Sequence, residues 1–238
     1  MFSVSTKGQE NKIQEVIMSD FNIRQYKDTD YEAVRAMFAD GMMEHVPTTF
    51  WFLLNNPRIY LLLLCVFLIL LICSKSFLFC ILAVALLLAV GWHFLNAEFQ
   101  QFIQQCLRED LLDISKSYLG GDGSCFWVAE SGGDVVGMVG AQYLRNPDEQ
   151  PKIELKRMSV GKCHRKRGIA KVLCRTVLSF ARQRGCSAVI LQTSQVQFAA
   201  QKLYESLGFR KLHEFRLPSY FAMLTNFTIF HYRYDIPA

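Results

Sequence analysis

Residues 154–170 read ELKRMSVGKCHRKRGIA, and the rest of the chain is organised around them. Residues 153–160 have the composition of a short strand. A tight basic loop follows, and Gly168, Ile169 and Ala170 open a helix. A strand that turns straight into a helix aims the loop's N–H groups and the positive end of the helix dipole at one point, and such a point attracts phosphate. Gly168 has no Cβ to keep a ligand off the backbone, and Ala170 is small enough to help. Arg165, Lys166 and Arg167 add positive charge at the rim. On these residues alone two readings stand: an anion-binding loop, or an ordinary strand-to-helix turn with solvated charges.

Working outward, residues 22–26 read as a strand, and Thr29 with Glu32 has capping-box spacing. Tyr31, Val34, Met37 and Phe38 then recur at helical intervals. Further on, Phe99, Phe102, Ile103, Leu107, Leu111, Leu112, Ile114 and Tyr118 form an amphipathic stripe that starts at Ala97 and stops at Gly120-Gly121. Residues 124–130 and 135–143 flank the turn Ser131-Gly132-Gly133-Asp134, which reads as a β-hairpin. A polar loop over 146–151 leads into the 153–160 strand. After the basic loop, a helix over 168–184 turns Ile169, Val172, Leu173, Val177 and Phe180 inward, and a strand over 188–191 follows. A second helix over 194–207 carries its own capping box, Ser194 with Gln197, and strands over 209–217 and 228–234 end the pattern. This order implies an α/β domain with a mixed central sheet flanked by helices.

One stretch does not belong to that domain. Residues 59–95 carry a single charge, Lys75, inside Ser74-Lys75-Ser76. As one straight helix the stretch is about 55 Å long, against a hydrocarbon core of about 30 Å. The polar break favours two arms, 59–73 and 77–95, forming a helical hairpin that is either transmembrane or re-entrant. In both cases the two flanks return to one side of the bilayer. A single tilted span with Lys75 snorkelling is the rival. A helix pair buried in a soluble core is disfavoured, because neither arm has a polar face.

Hydrophobic residues make up 51% of the 238-residue chain, and mean hydropathy is +0.16, with the excess concentrated in that stretch. The net charge of +5 is mild and excludes a nucleic-acid-binding signature. The eight cysteines show no CxxC or Cys/His ligand spacing, so neither a metal site nor a disulfide framework is expected. Residues 1–20 are polar, with no early apolar run, and read as a flexible tail without a cleavable signal. The sequon Asn226-Phe227-Thr228 carries no meaning in a domain that faces the cytosol.

Two motifs together resemble a known family. Arg165-Lys166-Arg167-Gly168-Ile169-Ala170 is similar to the acyl-coenzyme A loop of the GNAT superfamily of N-acetyltransferases, Gln/Arg-x-x-Gly-x-Gly/Ala. Tyr204-Glu205-Ser206-Leu207-Gly208-Phe209 resembles the same family's Tyr-x-x-Leu-Gly-Phe. They occur in the family's order and on its elements, and the resemblance covers residues 22–234 apart from the insert. The stretches 42–50, 113–119, 124–131 and 135–141 narrow it to the camello-type branch, which includes cysteine-S-conjugate N-acetyltransferases and a brain aspartate N-acetyltransferase. The resemblance implies a GNAT domain over 21–238, interrupted by a membrane-embedded insert at 59–95. It also implies acetyl-CoA as co-substrate and an endoplasmic reticulum or Golgi membrane address. Acetyl-CoA supply favours a cytosol-facing domain.

For chemistry, the resemblance implies that Met158, Ser159, Val160, Arg165, Lys166, Arg167, Gly168, Ile169 and Ala170 bind the coenzyme. Glu154 holds the position of a general base, with pairing to Lys156 or Arg157 as its alternative. An amine must be neutral to attack, but an α-amino pKa of about 7.7–8.0 leaves little for a base to do. The Val160 N–H is the implied oxyanion donor. Tyr204 is the implied acid for the leaving thiolate, with a plain core aromatic as its alternative. His164 reads as a rim charge. His45 lines the acceptor site only through the resemblance. Lys152, Lys156 and Arg157 either attract an acceptor carboxylate or decorate a solvated strand edge. The expected acceptor is a small amino-acid-like amine, with cysteine S-conjugates favoured by the resemblance. A protein lysine acetyltransferase and a non-catalytic membrane regulatory module are the other functions weighed.

Overall fold

The computed structural model describes residues 21–121, 123–145, 150–216 and 227–237. The expected tail over 1–20, most of the polar loop at 146–149 and Asn226 of the sequon lie outside the described residues.

The elements follow the expected order, with seven strands in one sheet. They are β1 (Asn22–Gln25), β2 (Cys125–Ser131), β3 (Asp134–Leu144), β4 (Lys152–Val160), β5 (Ala188–Ser194), β6 (Arg210–Arg216) and β7 (Thr228–Asp235). The helices are α1 (Tyr31–Met43), α2 (His45–Leu54), α3 (Pro57–Ser74), α4 (Phe77–Arg108), α5 (Ile169–Gln183) and α6 (Phe198–Ser206). The spatial order is β1-β2-β3-β4-β5-β7-β6. Every neighbouring pair is antiparallel except β4 and β5, which are joined through α5 and run parallel.

Each face of the sheet buries its own core, because strand side chains alternate. On one face Ile153, Leu155, Val189 and Leu191 pack against Leu173, Cys174 and Val177 of α5 and Tyr204 of α6. On the other, Phe126, Val128 and Met138 meet Val34 and Phe38 of α1 and Ile103, Cys106 and Leu107 of α4. Helix α1 rides close on β4: a Cβ on Gly41 would lie 2.6 Å from the Ser159 Oγ.

The start of α1 corrects the sequence reading. Thr29 and Glu32 form no capping box. Asp30 accepts from the Lys27 N–H at 2.9 Å and from two Arg24 nitrogens at 2.7 and 2.9 Å, a stronger charge-assisted arrangement. At the second expected box half the pattern is present, since Gln197 Oε1 accepts the Ser194 N–H at 3.0 Å. The helix itself begins four residues after Ser194, at Phe198.

Helices α3 and α4 are the two arms of the insert, and both are long and apolar enough to cross a membrane. Asn56 caps α3 by accepting the Arg58 N–H at 3.0 Å, with Pro57 in the first turn. Lys75 makes the reversal in a left-handed conformation, and Ser76 caps α4. The arms touch through Phe67 and Phe77, with ring centroids 5.5 Å apart. No residue of α3 is buried in the molecule. The second arm differs from expectation. It does not end at residue 95 but continues unbroken through the amphipathic stripe to Arg108. Nothing between 95 and 108 breaks a helix; the change at Asn96 alters which surface the helix presents, not its backbone.

Candidate active site

Strands β4 and β5 pair only through Lys152–Ala188, Ile153–Val189 and Glu154–Ile190. Beyond Glu154 they part, so residues 155–160 present a strand edge to an open cleft. An edge of this kind offers hydrogen bonds to an extended ligand. The parting coincides with a bulge. Arg157 takes φ +55°, and the β3–β4 register slips between Met138 and Gly140. Positive φ is costly for a residue with a Cβ and needs support.

That support is a buried polar cluster. Arg157 donates to both Asp110 oxygens, at 3.0 and 2.6 Å, and to Cys106 Sγ at 2.9 Å. Its guanidinium lies 5.0 Å from the Phe38 ring centroid. Tyr118 donates to the same Asp110 carboxylate. Burial disfavours the Asp110 charge, but the bonds from Arg157 and Tyr118 outweigh it and hold the carboxyl below its ordinary value. Burial and the Asp110 charge push the Tyr118 hydroxyl well above the ordinary phenol range. The Arg157 side chain is therefore neither solvated nor available to an acceptor, although its backbone lies in the part of β4 that has left β5. Lys156 is likewise occupied, by Gln142 Oε1 at 3.0 Å. The sequence gives no sign of this cluster, because Cys106 and Asp110 lie some fifty residues from Arg157.

At its end β4 enters the basic loop. Gly161 N–H donates back to the Val136 carbonyl at 3.0 Å, and a single 3-10 turn, Lys162–His164, follows. Lys166 at φ +63° and Gly168 at φ +81° then curl the backbone, and α5 begins. The amides of Lys166, Gly168, Ile169, Ala170 and Lys171 have no acceptor among the described residues. Amides curled in this way at a helix N-terminus form an anion-binding concavity. Arg165 donates from Nε to the Val160 carbonyl at 2.9 Å and from Nη1 to Glu44 at 2.6 Å, tying the loop to α1. Arg167 Nη1 lies 3.0 Å from His164 Nδ1.

Helix α2 packs beside the segment that follows β5. Its first residue, His45, places Nε2 3.2 Å from Gln197 Nε2, and Phe52 packs on Val196 and Phe227. A cavity of about 320 Å³ lies between α1 and the end of β4, lined in part by Met37, Asp40, Glu44, Ser159, Val160 and Arg165. A larger depression of about 560 Å³ sits by Trp127, Phe180 and Arg184, at the opposite end of α5 from the loop, and holds none of the expected site residues.

Glu154 is half-buried and makes no ion pair among the described residues, so neither alternative partner takes it. It alternates with Ile153 and Leu155 and so faces the α1 side of the sheet. Tyr204 lies on the other side, 5% exposed, stacked near Phe209 and Tyr232 with centroids at 5.6 and 6.1 Å. Its hydroxyl has no hydrogen-bond partner among the described residues. Burial, with Cys174 nearby, holds the Tyr204 proton far more tightly than usual. Glu154 and Tyr204 therefore flank the parted strands from opposite faces.

The model of the acetyltransferase (GNAT) family matches residues 91–209. The chain belongs to this family. Relatives share more than the domain. The probable N-acetyltransferase camello of Xenopus laevis is 42% identical over 219 residues, covering 92% of this chain and 99% of its own. N-acetyltransferase 8 of Rattus norvegicus is 43% identical over 222 residues, covering 93% of this chain and all of its own. A GNAT-family acetyltransferase from Staphylococcus aureus Mu50 overlays 91% of this chain and 99% of its own, with a TM-score of 0.53 at 21% identity, which speaks for the fold. As a GNAT enzyme of the camello group, the protein is an acetyl-CoA-dependent N-acetyltransferase.

Proposed function

We propose that this GNAT enzyme is embedded in the endoplasmic reticulum or Golgi membrane by α3 and α4, and acetylates the amine of a small amino-acid-like acceptor, with cysteine S-conjugates favoured. The reading rests above all on the cleft where β4 leaves β5, which ends at the amides of Lys166, Gly168, Ile169, Ala170 and Lys171, none with an acceptor among the described residues. Those amides suit the coenzyme's pyrophosphate, with Arg165, Lys166 and Arg167 adding charge. The free edge through Met158, Ser159 and Val160 suits its pantetheine arm and thioester. Free amides beside a free strand edge are the groups that a diphosphate on an extended, amide-bearing arm calls for.

Chemistry then divides among few groups. Glu154 removes a proton from the acceptor ammonium, directly or through water, so that the amine attacks the thioester carbonyl. The Val160 N–H donates to the oxygen that gains charge as the new C–N bond forms. The C–S bond then breaks, and Tyr204 donates a hydrogen bond to the departing sulfur. Because burial strengthens the hold of Tyr204 on its proton, it acts first as a donor. Of the two protons the ammonium loses, the one taken by Glu154 passes to solvent, and the second, lost from nitrogen after the C–N bond forms, ends on the departing thiol. A membrane setting concentrates acceptors with an apolar S-substituent next to the cleft. Cytosolic acetyl-CoA reaches a domain on the cytosolic face, where both arms of a hairpin return it.

An acceptor panel assayed by free-thiol release tests the reading. S-benzyl-cysteine is expected to turn over, lysine peptides are not, and Glu154→Gln should lose activity near pH 7 and regain it near pH 9. Turnover of lysine peptides alone would replace the small acceptor with a protein. No thiol release from any amine, in protein that binds acetyl-CoA, would end the catalytic reading.

A further inference from the structure

The α1–α2 corner grips both lips of the cleft with adjacent residues. Glu44 holds Arg165 on the β4 side at 2.6 Å, and His45 meets Gln197 on the β5 side at 3.2 Å. Thr193 and Ser194, to which Gln197 is bonded at 2.8 and 3.0 Å, lie three and four residues beyond Ile190, the last β5 residue paired to β4. Arg157 and Met158 lie three and four residues beyond its partner Glu154. At about 3.3 Å per residue the two positions are level along the parted strands. His45, through Gln197, therefore sits near the height at which the Met158–Val160 edge is left unpaired by β5.

The tautomer of His45 follows from its partner. Gln197 Oε1 takes the Ser194 N–H and the Thr193 hydroxyl, so the amide nitrogen faces His45. An amide N–H₂ only donates, so His45 Nε2 accepts and the ring proton is on Nδ1. Burial, and then the Arg165 charge, disfavour a second proton, with Glu44 opposing in part. The Nδ1–H has no acceptor among the described residues. Glu44 beside it is already neutralised by Arg165. The corner thus presents one unpaired donor beside Glu44, a wall residue of the cavity that runs to Val160, where Lys162 and Arg165 balance the charges of Asp40 and Glu44.

We propose that His45 Nδ1–H binds the carboxylate of the acceptor and selects acceptors that carry one, with Gln197 as the residue that fixes the tautomer. The inference rests on the amino-acid-like acceptor proposed above. His45 is then a specificity-determining residue rather than the base: it holds one end of the acceptor while the amine at the other end reaches the thioester.

Steady-state kinetics with S-benzyl-cysteine and its carboxamide test this in full-length protein in detergent, with the acetyl-CoA-induced thermal shift as the check of folding. His45→Ala should raise KM for the acid at least tenfold and for the carboxamide less than threefold. His45→Asn, whose amide N–H₂ stands near Nδ1, should recover most of the loss. His45→Gln, whose amide stands near Nε2, keeps the Gln197 contact and should behave like His45→Ala. Equal effects on the acid and the carboxamide, or a fall in kcat with an alkaline shift of the pH profile, would overturn the inference and make His45 a scaffold or a base. If the wild type acetylates neither compound while binding acetyl-CoA, the acceptor reading itself fails, a different result from loss of the acid preference alone.

Discussion

Tyr204 illustrates what a single residue contributes here. A buried hydroxyl without a partner costs stability, so removing it is neutral or favourable. Tyr204→Phe is therefore expected to keep or raise the Tm while lowering kcat about 100-fold, within the range of a lost proton-transfer group. Unchanged kcat would return Tyr204 to the plain core. Asp110 behaves in the opposite way. With its Arg157 partner it is nearly enclosed, at 13% and 11% side-chain exposure, and breaking one side of a buried pair costs about 3 kcal/mol or more. For a chain of this size Asp110→Asn should lower the Tm by roughly 6–12 °C. The sign with pH follows from the depressed carboxyl. The contribution of Asp110 is complete above the ordinary value near 3.9 and is lost as pH falls through the lower folded value. The gap in Tm between wild type and Asp110→Asn should thus be full at pH 6 and narrow below about pH 4. A constant gap would show that the loss comes from packing. Tyr204 was legible in the sequence because it stands in a motif. The Asp110–Arg157 pair was not, since its partners are distant in the chain and neither residue carries a local signal.

At the scale of elements, the strand–loop–helix unit was the most legible part. Its strand alternation, basic run and glycine are local features, and local features survive folding. Gly168 tests the unit. Its φ of +81° excludes side chains at low cost, and a β-branched residue would also narrow the approach to the amides. Gly168→Val should weaken coenzyme A binding by calorimetry more than tenfold while leaving far-ultraviolet dichroism unchanged; unaltered affinity would move the phosphate site elsewhere. The helix start before α1 was misread for an instructive reason. Thr29 and Glu32 have the right spacing, yet Arg24 and Asp30 form a charge pair that recruits the Lys27 amide. The end of the second arm was misread because a change from apolar to amphipathic composition looks like a boundary, while the helical backbone carries on through it.

For the whole molecule, the question is how the hairpin meets the catalytic domain. The 18 residues of α3 are about 27 Å long, close to the hydrocarbon thickness, so a full crossing needs no stretching. The reversal at Lys75 then emerges opposite the domain. With Cys65 and Cys73 replaced by serine, Lys75→Cys in sealed vesicles should react with an impermeant maleimide only from the side opposite to Cys163, which is exposed in the basic loop. Labelling of both from one side would make the hairpin re-entrant. Both arms also lead directly to residues that border the cleft. The first leads through α2 to Glu44 and His45, and the second runs without a break to Cys106, against Arg157 in the β4 bulge.

The sequence alone determined the α/β class, the order of elements, the apolar hairpin and the basic strand-to-helix loop, because each is written in neighbouring residues as periodicity, charge or a glycine. Only the tertiary structure decided where β4 leaves β5, what holds Arg157 at positive φ, and that Glu44 and His45 close the cleft from two sides. Those features depend on pairs such as Asp110–Arg157 and His45–Gln197, whose members come together only once the sheet has formed and the helices have packed on both of its faces.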